Sequence, residues 1–296
     1  MTTATADAPI ACRRADTPPP ADPTVAYILG PPRSGTTMLG YVLAGGSGVL
    51  SLSEPYLAHS VTRDWQLHRM FLRLQATGKL RRRRPPFHGD SEQFGAFLRQ
   101  MALDNGYRRI VIKETYRRAA PHPDWSNESL IERLASSGAP ILALIRHPYD
   151  VAASTIKLCR WVIGLPGWFL RLRAPNLPTF RTATDVVRWA AGNWHAYVEW
   201  TRHHGLPLTR YEDFVCDPER RLRDVCARLQ VPFEPRMLDF SHRRMAFGGL
   251  GDPEVLRTPR PIDRTAIGRG RRLSDEQLRI VRERCGAQAA ELGYDL

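Results

Sequence analysis

Short apolar or β-branched runs alternate with longer amphipathic stretches along this sequence, and this alternation limits the folds available to it. The runs that predict β-strands are residues 25–29, 48–52, 109–113, 140–145 and 206–210. The stretches that predict helices are residues 36–44, 57–75, 91–105, 127–136, 149–159, 183–203 and 218–229. A last helix is expected after Ser274, whose spacing to Gln277 is that of a capping box. Such alternation predicts an α/β fold with a mostly parallel central sheet flanked by helices, whose ligands bind beyond the carboxyl ends of the strands.

The length and composition suit one catalytic domain. The 296 residues, 43% of them hydrophobic, can bury a sizeable core. Residues 1–24 are rich in Ala, Thr and Pro without a continuous apolar stretch, and they predict a disordered leader ahead of a domain at 25–296. No run approaches the ~18 apolar residues of a transmembrane segment. Five cysteines without CxxC or CxxH spacing fit reduced thiols in a cytoplasmic protein.

The charge of the chain is strongly basic. The formal net charge is +13, and only three of the 43 basic residues are lysines. This arginine excess favours an anionic partner. It also suits a generally solvated surface, which is the interpretation we adopt for most of the arginines. Any specific anion site must therefore be found from local motifs.

Residues 27–39, YILGPPRSGTTML, combine a strand, a Gly- and Pro-rich turn and a helix start. Such a turn aims backbone N–H groups at an anion, and the helix N-terminus adds partial positive charge. Three hydroxyl groups lie in it, those of Ser34, Thr36 and Thr37. The spacing from Gly30 to Gly35 equals that of the nucleotide-triphosphate loop, but Thr36 stands where that motif requires Lys. The turn predicts an anion site, with an ordinary strand–turn–helix as the alternative.

A second candidate anion site follows the fourth predicted strand, in residues 146–154, RHPYDVAAS. Pro148 suits a first helical turn. Arg146 then lies directly before the helix and Ser154 about one and a half turns into it, so the two side chains can converge on one tetrahedral anion. Two such clamps suit a nucleotide with phosphates at both ends. The alternative is that Arg146 pairs with a neighbouring carboxylate while Ser154 packs within the helix.

The residue types at these two sites distinguish between two chemistries. A kinase or NTPase handles a triphosphate with Mg²⁺, usually held by the loop hydroxyl and by a carboxylate at a later strand end. Here the loop Lys is absent, and the later strand ends in Arg146. A sulfuryl group carries less charge than a γ-phosphoryl group, so arginine, hydroxyls and backbone amides suffice to hold it without a metal.

Residues 32–39, PRSGTTML, resemble the 5'-phosphosulfate loop of the PAPS-dependent sulfotransferase family, and residues 146–154 resemble its 3'-phosphate segment. The resemblance covers roughly residues 25–295 and is specific in these two motifs. It implies a P-loop-like sulfotransferase fold, and 3'-phosphoadenosine 5'-phosphosulfate (PAPS) as co-substrate without a metal. It further implies 5'-phosphosulfate contacts from Arg33, Ser34, Gly35, Thr36 and Thr37, and 3'-phosphate contacts from Arg146 and Ser154.

Two further segments are similar to the family more loosely. Residues 210–214, RYEDF, are similar to its Tyr-Glu-Asp segment, which implies an adenine contact for Tyr211. The alternative is a Tyr that packs in the core at a strand end. An Asp, at position 213 or 217, would then cap the next helix.

Residues 267–272, IGRGRR, lie where relatives close the nucleotide site with a basic loop. The Arg-Lys-Gly of cytosolic relatives is absent here. The resemblance assigns a 3'-phosphate contact to Arg269, with Arg271 as the alternative.

Sulfuryl transfer is an in-line displacement that needs a base for the hydroxyl proton and cations for the leaving charge. Glu54 follows the second predicted strand, where the acceptor must arrive. Carbohydrate-type sulfotransferases carry a similar Glu-Pro, with the Glu as base. The alternative is a Glu that only stabilises the turn before Pro55.

Lys113 ends the third predicted strand and is expected to supply charge to the bridging oxygen of the donor. The family has a Lys in a similar segment, which cytosolic members follow with a His base. Here Glu114, Thr115 and Tyr116 follow instead. This departure removes the histidine mechanism and favours Glu54, with Glu114 as the reserve base. A Lys113 that pairs with a surface carboxylate is the alternative.

The acceptor side is less defined by the sequence. Residues 155–180 are rich in Trp, Pro and Arg and predict a lid over an apolar or glycosidic acceptor. A peripheral membrane contact and a simple completion of the core are the alternatives. We expect a small-molecule hydroxyl acceptor, namely a sugar, glycolipid or secondary metabolite, and no nucleic acid, since stacked-aromatic RNA motifs are absent. The competing functions are a P-loop phosphotransferase and a non-catalytic nucleotide- or RNA-binding module.

Overall fold

The computed structural model describes residues 23–56, 71–72, 74–76, 78, 80–81, 91–117, 128–167, 179–239, 248–249 and 261–296. The strands are β1 Thr24–Gly30, β2 Val49–Ser53, β3 Arg109–Thr115, β4 Ile141–Ile145, β5 Leu208–Arg210 and β6 Gly248–Gly249. The helices are α1 Thr36–Leu43, α2 Ser91–Asp104, α3 Glu128–Ala135, α4 Pro148–Cys159, α5 Ala183–His203, α6 Tyr211–Cys216, α7 Pro218–Arg228 and α8 Asp275–Glu291. Two 3-10 turns cover Pro235–Leu238 and Arg269–Arg272.

The six strands form one sheet in the order β5-β4-β1-β3-β2-β6, and every pairing in it is parallel. This confirms the parallel sheet expected from the strand–helix alternation. The chain leaves β1 toward β2 on one side of the sheet and leaves β4 toward β5 on the other. The topological switch point therefore lies between the carboxyl ends of β1 and β4, which is where open α/β sheets bind ligands.

Helices cover both faces of the sheet, because successive strand side chains point to opposite faces. Ala26 and Ile28 pack into a layer with α1, α6 and α7. Tyr27 and Leu29 pack into a second layer with α2, α3, α4, α5 and α8. Full burial of an aliphatic side chain such as Ile28 contributes roughly 1.5–3 kcal/mol. These two layers hold the strand ends rigidly at the switch point.

Several boundaries differ from those predicted. β3 runs two residues beyond Lys113, because Thr115 pairs with Gly30 and the Tyr116 N–H donates to the Gly30 carbonyl at 2.9 Å. Tyr211 begins a short helix rather than ending a strand. β6 was not predicted, since two glycines carry no alternation of polar and apolar side chains.

Local helix signals in the sequence are confirmed. Pro148 occupies the first turn of α4. Ser274 caps α8 in a capping box, in which its hydroxyl accepts from the Gln277 N–H at 3.4 Å and the Gln277 side chain accepts from the Ser274 N–H at 3.1 Å. Both signals depend only on neighbouring residues.

Some predictions fall on parts of the chain that the structure does not describe. Residues 1–22 of the predicted leader 1–24, residues 57–70 and 73 of the predicted helix 57–75, and residues 168–178 of the Trp- and Pro-rich segment lie outside the described residues. The predicted leader was one residue too long, since Thr24 begins β1. Residues 71–72 and 74–76, at the end of that predicted helix, are helical. Within the described ranges, we find no helix with the length and apolarity that crossing a membrane requires.

Candidate active site

The turn after β1 curls tightly before α1 begins at Thr36. Arg33 and Gly35 both have positive φ, at 71° and 92°. A Cβ on Gly35 would lie 2.5 Å from Cδ2 of Tyr211, so only glycine fits at this close approach. Ser34 is fully buried, and its hydroxyl has no hydrogen-bond partner among the described residues. Buried hydroxyl groups normally have a hydrogen-bond partner, so the Ser34 hydroxyl is a candidate ligand for an anion bound at this turn.

Arg146, directly after β4, is a buried junction of the site. Its Nη1 donates to the Arg33 carbonyl at 3.3 Å, and its Nη2 contacts the Ala266 carbonyl oxygen and lies 3.7 Å from Asp150. Its guanidinium lies 4.8 Å from the ring centre of Tyr211. Burial lowers the pKa of Arg146 from its usual range. Its Nε has no partner within the described part of the chain, so one donor remains for an anion.

Ser154 connects the two anion segments. It lies in α4, is buried, and accepts a hydrogen bond from Nε of Arg33 at 3.1 Å. The turn after β1 and the segment after β4 therefore meet side chain to side chain. The pairing of Arg146 with Asp150 matches the alternative weighed for that arginine. Arg146 and Ser154 are linked through Arg33, which contacts both.

Asp150 holds the basic 3-10 turn against α4. Its two carboxylate oxygens accept from the N–H groups of Gly268 at 2.9 Å and Gly270 at 2.7 Å. A Cβ on Gly270 would lie 2.4 Å from Cβ of Tyr149, so the turn approaches α4 closely. The Asp150 carboxylate thus fixes the backbone on both sides of Arg269.

Of the two arginines considered in that turn, Arg269 is the less exposed. Arg269 is half-buried, whereas Arg271 is exposed. Burial raises the pKa of Tyr211 against the charges of Arg146 and Arg269, which act on it in the opposite direction. Arg269 therefore lies within electrostatic reach of both Tyr211 and Arg146.

The segment around Tyr211 contacts the site from the layer that contains α1, α6 and α7, across the sheet from α4. The Tyr211 ring is buried between Gly35 and Arg146. Glu212, next to it, accepts from the His147 N–H at 2.8 Å and from the Tyr294 hydroxyl at 2.9 Å. These contacts tie α6 and the C-terminal end of the chain to the segment after β4.

The alternative capping role of the acidic residues in this segment is not what the structure shows. Asp217 is the N-cap residue of α7, but its side chain makes no capping hydrogen bond and pairs with Arg220 at 2.7 Å. Asp213 pairs with Arg221 at 3.4 Å.

Glu54 and Lys113 form a buried ion pair at the carboxyl ends of β2 and β3. Oε1 of Glu54 contacts both Nζ of Lys113 and the Thr115 hydroxyl, while Oε2 lies 3.5 Å from Arg117. Lys113 also donates to the Thr115 hydroxyl at 3.1 Å. Burial alone would raise the pKa of Glu54, but Lys113 and Arg117 outweigh it and hold that pKa well below its usual range. Lys113 therefore pairs with a buried carboxylate rather than a surface one.

The backbone places this pair beside the anion turn. Glu54 has φ 52°, and its N–H donates to the Lys113 carbonyl at 2.6 Å. In the sheet, Lys113 is level with Ile28 of β1, and Thr115 is level with Gly30, where the turn begins. The ion pair and the anion turn therefore share one edge of the sheet.

Glu114 points to the opposite face of β3 from Lys113, as adjacent strand residues do. Its Oε1 accepts from the Tyr56 N–H at 2.9 Å, and its Oε2 has no partner among the residues described. Burial and the nearby charge of Glu54 raise the pKa of Glu114. Glu114, the reserve base, therefore holds the backbone at Tyr56, two residues after Glu54.

Three residues that sequence reasoning did not single out belong to this arrangement, namely Thr115, Arg117 and Asp150. Thr115 is two residues from Lys113, so the strand period alone places it on the same face. Asp150 is four residues from Arg146 at a helix start, a spacing that brings side chains together. Arg117 lies beyond the strand end, where no periodicity predicts its direction.

A small apolar cluster lies next to the site. Its buried members are Cys159, Val162, Phe180 and Val186. Burial raises the pKa of the Cys159 thiol against the charges of Arg33 and Arg117, so the cluster lies within reach of both. The Gly164 N–H donates to the Phe180 carbonyl at 2.8 Å, and Trp161 is 55% exposed. Phe180 therefore completes the core, whereas Trp161 faces outward.

One protein family matches most of this chain. Residues 26–235 match the sequence profile described as "Sulfotransferase family", which is more than half of the chain. The nodulation protein NoeE of Sinorhizobium fredii (strain NBRC 101917 / NGR234) is 24% identical over 315 aligned residues. The alignment covers 92% of this chain and 66% of that relative, so the chain spans slightly less than two thirds of its length.

Solved structures share the fold. A sulfotransferase domain from the curacin biosynthetic pathway has a TM-score of 0.56 at 22% identity, covering 93% of this chain and 99% of that one. A sulfotransferase domain from the Synechococcus PCC 7002 olefin synthase has a TM-score of 0.55 at 21% identity, covering 96% and 100%. On the extent of the family match, with the fold in agreement, this chain belongs to the sulfotransferase family.

Proposed function

We propose that this chain transfers the sulfuryl group of PAPS to a hydroxyl group of a small-molecule acceptor, namely a sugar, a glycolipid or a secondary metabolite. The observation that carries this proposal is the meeting of two anion segments, in which Nε of Arg33 donates to Ser154 at 3.1 Å and Arg146 donates to the Arg33 carbonyl at 3.3 Å. PAPS carries a phosphosulfate on one side of its ribose and a phosphate on the other. Two adjacent cationic segments suit such a ligand.

Unpartnered buried atoms support the fit of this donor. The Ser34 hydroxyl and Nε of Arg146 lack hydrogen-bond partners among the described residues, although buried polar atoms normally have them. We assign the 5'-phosphosulfate to Arg33, Ser34, Gly35, Thr36 and Thr37. We assign the 3'-phosphate to Arg146, Ser154 and Arg269, and the adenine to Tyr211.

The chemistry needs one proton acceptor and one cation. The acceptor oxygen forms a bond to sulfur while the bond from sulfur to the bridging oxygen breaks. We assign the hydroxyl proton to Glu54, a buried carboxylate held ionised by its neighbours. We assign the charge of the leaving oxygen to Lys113, whose ammonium group is buried at the same edge of the sheet. Placed charges of this kind are usually a large part of transition-state stabilisation.

The remaining assignments follow from the surroundings of the site. The apolar cluster and exposed Trp161 support an acceptor with an apolar or glycosidic face, or contact with a membrane surface. The described cysteines are free thiols, which supports a cytoplasmic location. We propose residues 25–296 as the catalytic domain.

Sulfation can be tested directly without knowing the acceptor. The purified chain is incubated with PAPS labelled in its sulfuryl group and a metabolite extract, and the products are analysed by mass spectrometry. We expect labelled, sulfated products with the wild-type chain and none with heat-inactivated protein. Transfer of phosphate from labelled ATP, without any sulfated product, would instead support a phosphotransferase.

The chain is expected to bind adenosine 3',5'-bisphosphate at least about tenfold more tightly than ATP, without Mg²⁺. The reason is that a second phosphate contact, if charge-assisted, is worth about 1.5–3 kcal/mol. Isothermal calorimetry of both ligands, with and without Mg²⁺, measures this difference. Equal or tighter binding of Mg-ATP would contradict the assignment of the donor.

Gly270→Ala is expected to weaken bisphosphate binding about tenfold. The added Cβ would lie 2.4 Å from Cβ of Tyr149, so the 3-10 turn that carries Arg269 must move away from α4. A displacement that loses one charge-assisted contact has this magnitude. Calorimetry on Gly286→Ala is the matched control, because the nearest atom to that added Cβ is Cγ of Arg282 at 3.8 Å. Equal affinities of the two variants would remove the turn from the donor site.

A further inference from the structure

The roles assigned to Glu54 and Lys113 are hindered while the two side chains stay paired. In this structure they contact each other directly. Lys113 keeps a third N–H and Oε2 of Glu54 keeps a lone pair, but the two charges offset each other. The paired lysine stabilises a leaving oxygen less, and the paired carboxylate, whose pKa Lys113 holds low, is a weaker base.

The two oxygens of Glu54 are held differently. Oε1 contacts Lys113 and the Thr115 hydroxyl, and Oε2 lies 3.5 Å from Arg117. A carboxylate oxygen accepts about two hydrogen bonds. The departure of Lys113 therefore opens one acceptor position on Oε1, while Thr115 still occupies the other and Arg117 still faces Oε2.

The three partners differ in their freedom to move. Thr115 has a short side chain on a buried strand residue that pairs with Gly30, so its hydroxyl stays in place. The Arg117 side chain is 14% exposed and lies 3.5 Å from Oε2 of Glu54. Lys113 carries its ammonium group on a flexible four-carbon stem, which allows it to change partners.

We propose that Thr115 and Arg117 are positioning residues that hold the Glu54 carboxylate while Lys113 moves from it to the bridging oxygen of the donor, so that donor binding precedes productive acceptor binding. This inference rests on the function proposed above. The acceptor hydroxyl then takes the position that Nζ of Lys113 leaves on Oε1. In the transfer step, the acceptor oxygen bonds to sulfur, the bond from sulfur to the bridging oxygen breaks, and the proton passes to Oε1 of Glu54. The ammonium group of Lys113 stabilises the negative bridging oxygen that leaves.

The electrostatics support this order. With both cations in place, the pKa of Glu54 is held low, which makes it a weak base. The loss of Lys113 raises that pKa toward the range in which a carboxylate accepts protons efficiently. Arg117 then keeps the group ionised until the acceptor arrives.

The first test requires no turnover. Glu114 faces the same charges, because Glu54 raises its pKa and Lys113 lowers it, so both proteins compared carry Glu114→Gln. Adenosine 3',5'-bisphosphate is titrated into Glu114→Gln and into the double variant Glu54→Gln with Glu114→Gln near pH 5, in two buffers with different heats of ionisation. If Lys113 leaves Glu54 on ligand binding, Glu114→Gln takes up more protons than the double variant, because the pKa of Glu54 rises. Equal proton uptake by two proteins that both bind the ligand overturns the proposal.

The second test addresses Arg117 through the pH profile of turnover. Arg117→Ala is expected to lower kcat about tenfold and to shift the acidic limb of the profile to higher pH, since Glu54 loses its remaining cation. Arg117→Lys restores the limb because it returns the charge. Arg188→Ala is the control, since that arginine is 58% exposed and pairs with Asp185 at 3.2 Å. Circular dichroism verifies that each variant is folded.

The outcomes separate this inference from the function on which it rests. An Arg117→Ala variant with unchanged kcat and an unchanged acidic limb overturns the positioning role, even if the chain sulfates its acceptor. A wild-type chain that neither binds the bisphosphate nor produces a sulfated compound overturns the proposed function itself. Thr115→Val, which removes only the hydroxyl, should lower both kcat and the melting temperature, because that buried hydroxyl contacts Glu54 and Lys113. Thr115→Ser, which restores the hydroxyl, should recover kcat; unchanged turnover in Thr115→Val would exclude Thr115.

Discussion

Glu54→Gln is expected to lower the turnover number by roughly 10²- to 10⁴-fold, the usual effect of removing a general base. Gln keeps the size of the side chain and accepts a hydrogen bond, but it cannot take the proton of the acceptor hydroxyl. Affinity for adenosine 3',5'-bisphosphate should not fall, because the residues assigned to the phosphates are unchanged and the loss of the Glu54 charge frees Lys113 to face the ligand. Initial rates and calorimetry measure the two quantities.

The same variant is also expected to lose stability, which the sequence alone did not suggest. Lys113 is buried, and Glu54→Gln leaves its charge without its closest counter-ion. Breaking a buried pair from one side costs about 3 kcal/mol or more. Urea unfolding measures this loss. The double variant Glu54→Gln with Lys113→Met should recover most of the stability and none of the turnover.

The pH dependence of stability gives an independent check. The pKa of Glu54 is lower in the folded chain than in the unfolded one, because Lys113 and Arg117 outweigh the effect of burial. Its contribution to stability is therefore complete above the ordinary carboxyl pKa of about 4.3 and is lost as the pH falls through the folded value. Acid unfolding of the wild-type chain should include this loss, and that of Glu54→Gln should not.

Full turnover in Glu54→Gln would contradict its assignment as the base. The proton would then pass to water or to Glu114, whose pKa is raised by burial and by the charge of Glu54. Glu114 lies on the opposite face of β3 and accepts from the Tyr56 N–H at 2.9 Å. Parallel measurement of Glu114→Gln distinguishes these two routes.

Arg146→Ala is expected to reduce affinity for the bisphosphate by about a hundredfold or more, the upper range for one charge-assisted contact. The structure adds a second reason for a large effect. Arg146 contacts the carbonyl oxygens of Arg33 and Ala266 and lies 3.7 Å from Asp150. Its removal therefore deletes hydrogen bonds to the turn after β1 and to the segment that precedes the 3-10 turn, in addition to deleting a phosphate ligand.

A lower melting temperature should accompany this loss. Asp150 would remain buried with only the N–H groups of Gly268 and Gly270 as partners. Ser154→Ala is the matched comparison, with roughly tenfold weaker binding and an unchanged melting temperature, because it removes one hydroxyl. If Arg146→Ala binds the bisphosphate like the wild type, the 3'-phosphate does not lie at this position.

Structural features that depend on residues close together in the chain could be predicted from the sequence. The parallel sheet followed from the alternation of strands and helices, and the capping box at Ser274 and the proline at the start of α4 were confirmed because caps depend on three or four neighbouring residues. The strand end at Lys113 was predicted two residues early. Thr115 pairs with Gly30, about 85 positions earlier in the chain, and no local sequence pattern predicts such a contact.

The sequence by itself determined the fold class and indicated part of the candidate site, without Thr115, Arg117 and Asp150. The residue types, their order and their spacing around Arg33 and Arg146 are local properties, and they suffice to indicate two anion segments. Only the tertiary structure decided how those groups are paired. Glu54 and Lys113 are 59 positions apart, and Asp150 and Gly270 are 120 positions apart. Such contacts depend on strand order and on the packing of layers across the sheet, because neighbours in space are set there by topology and not by distance along the chain.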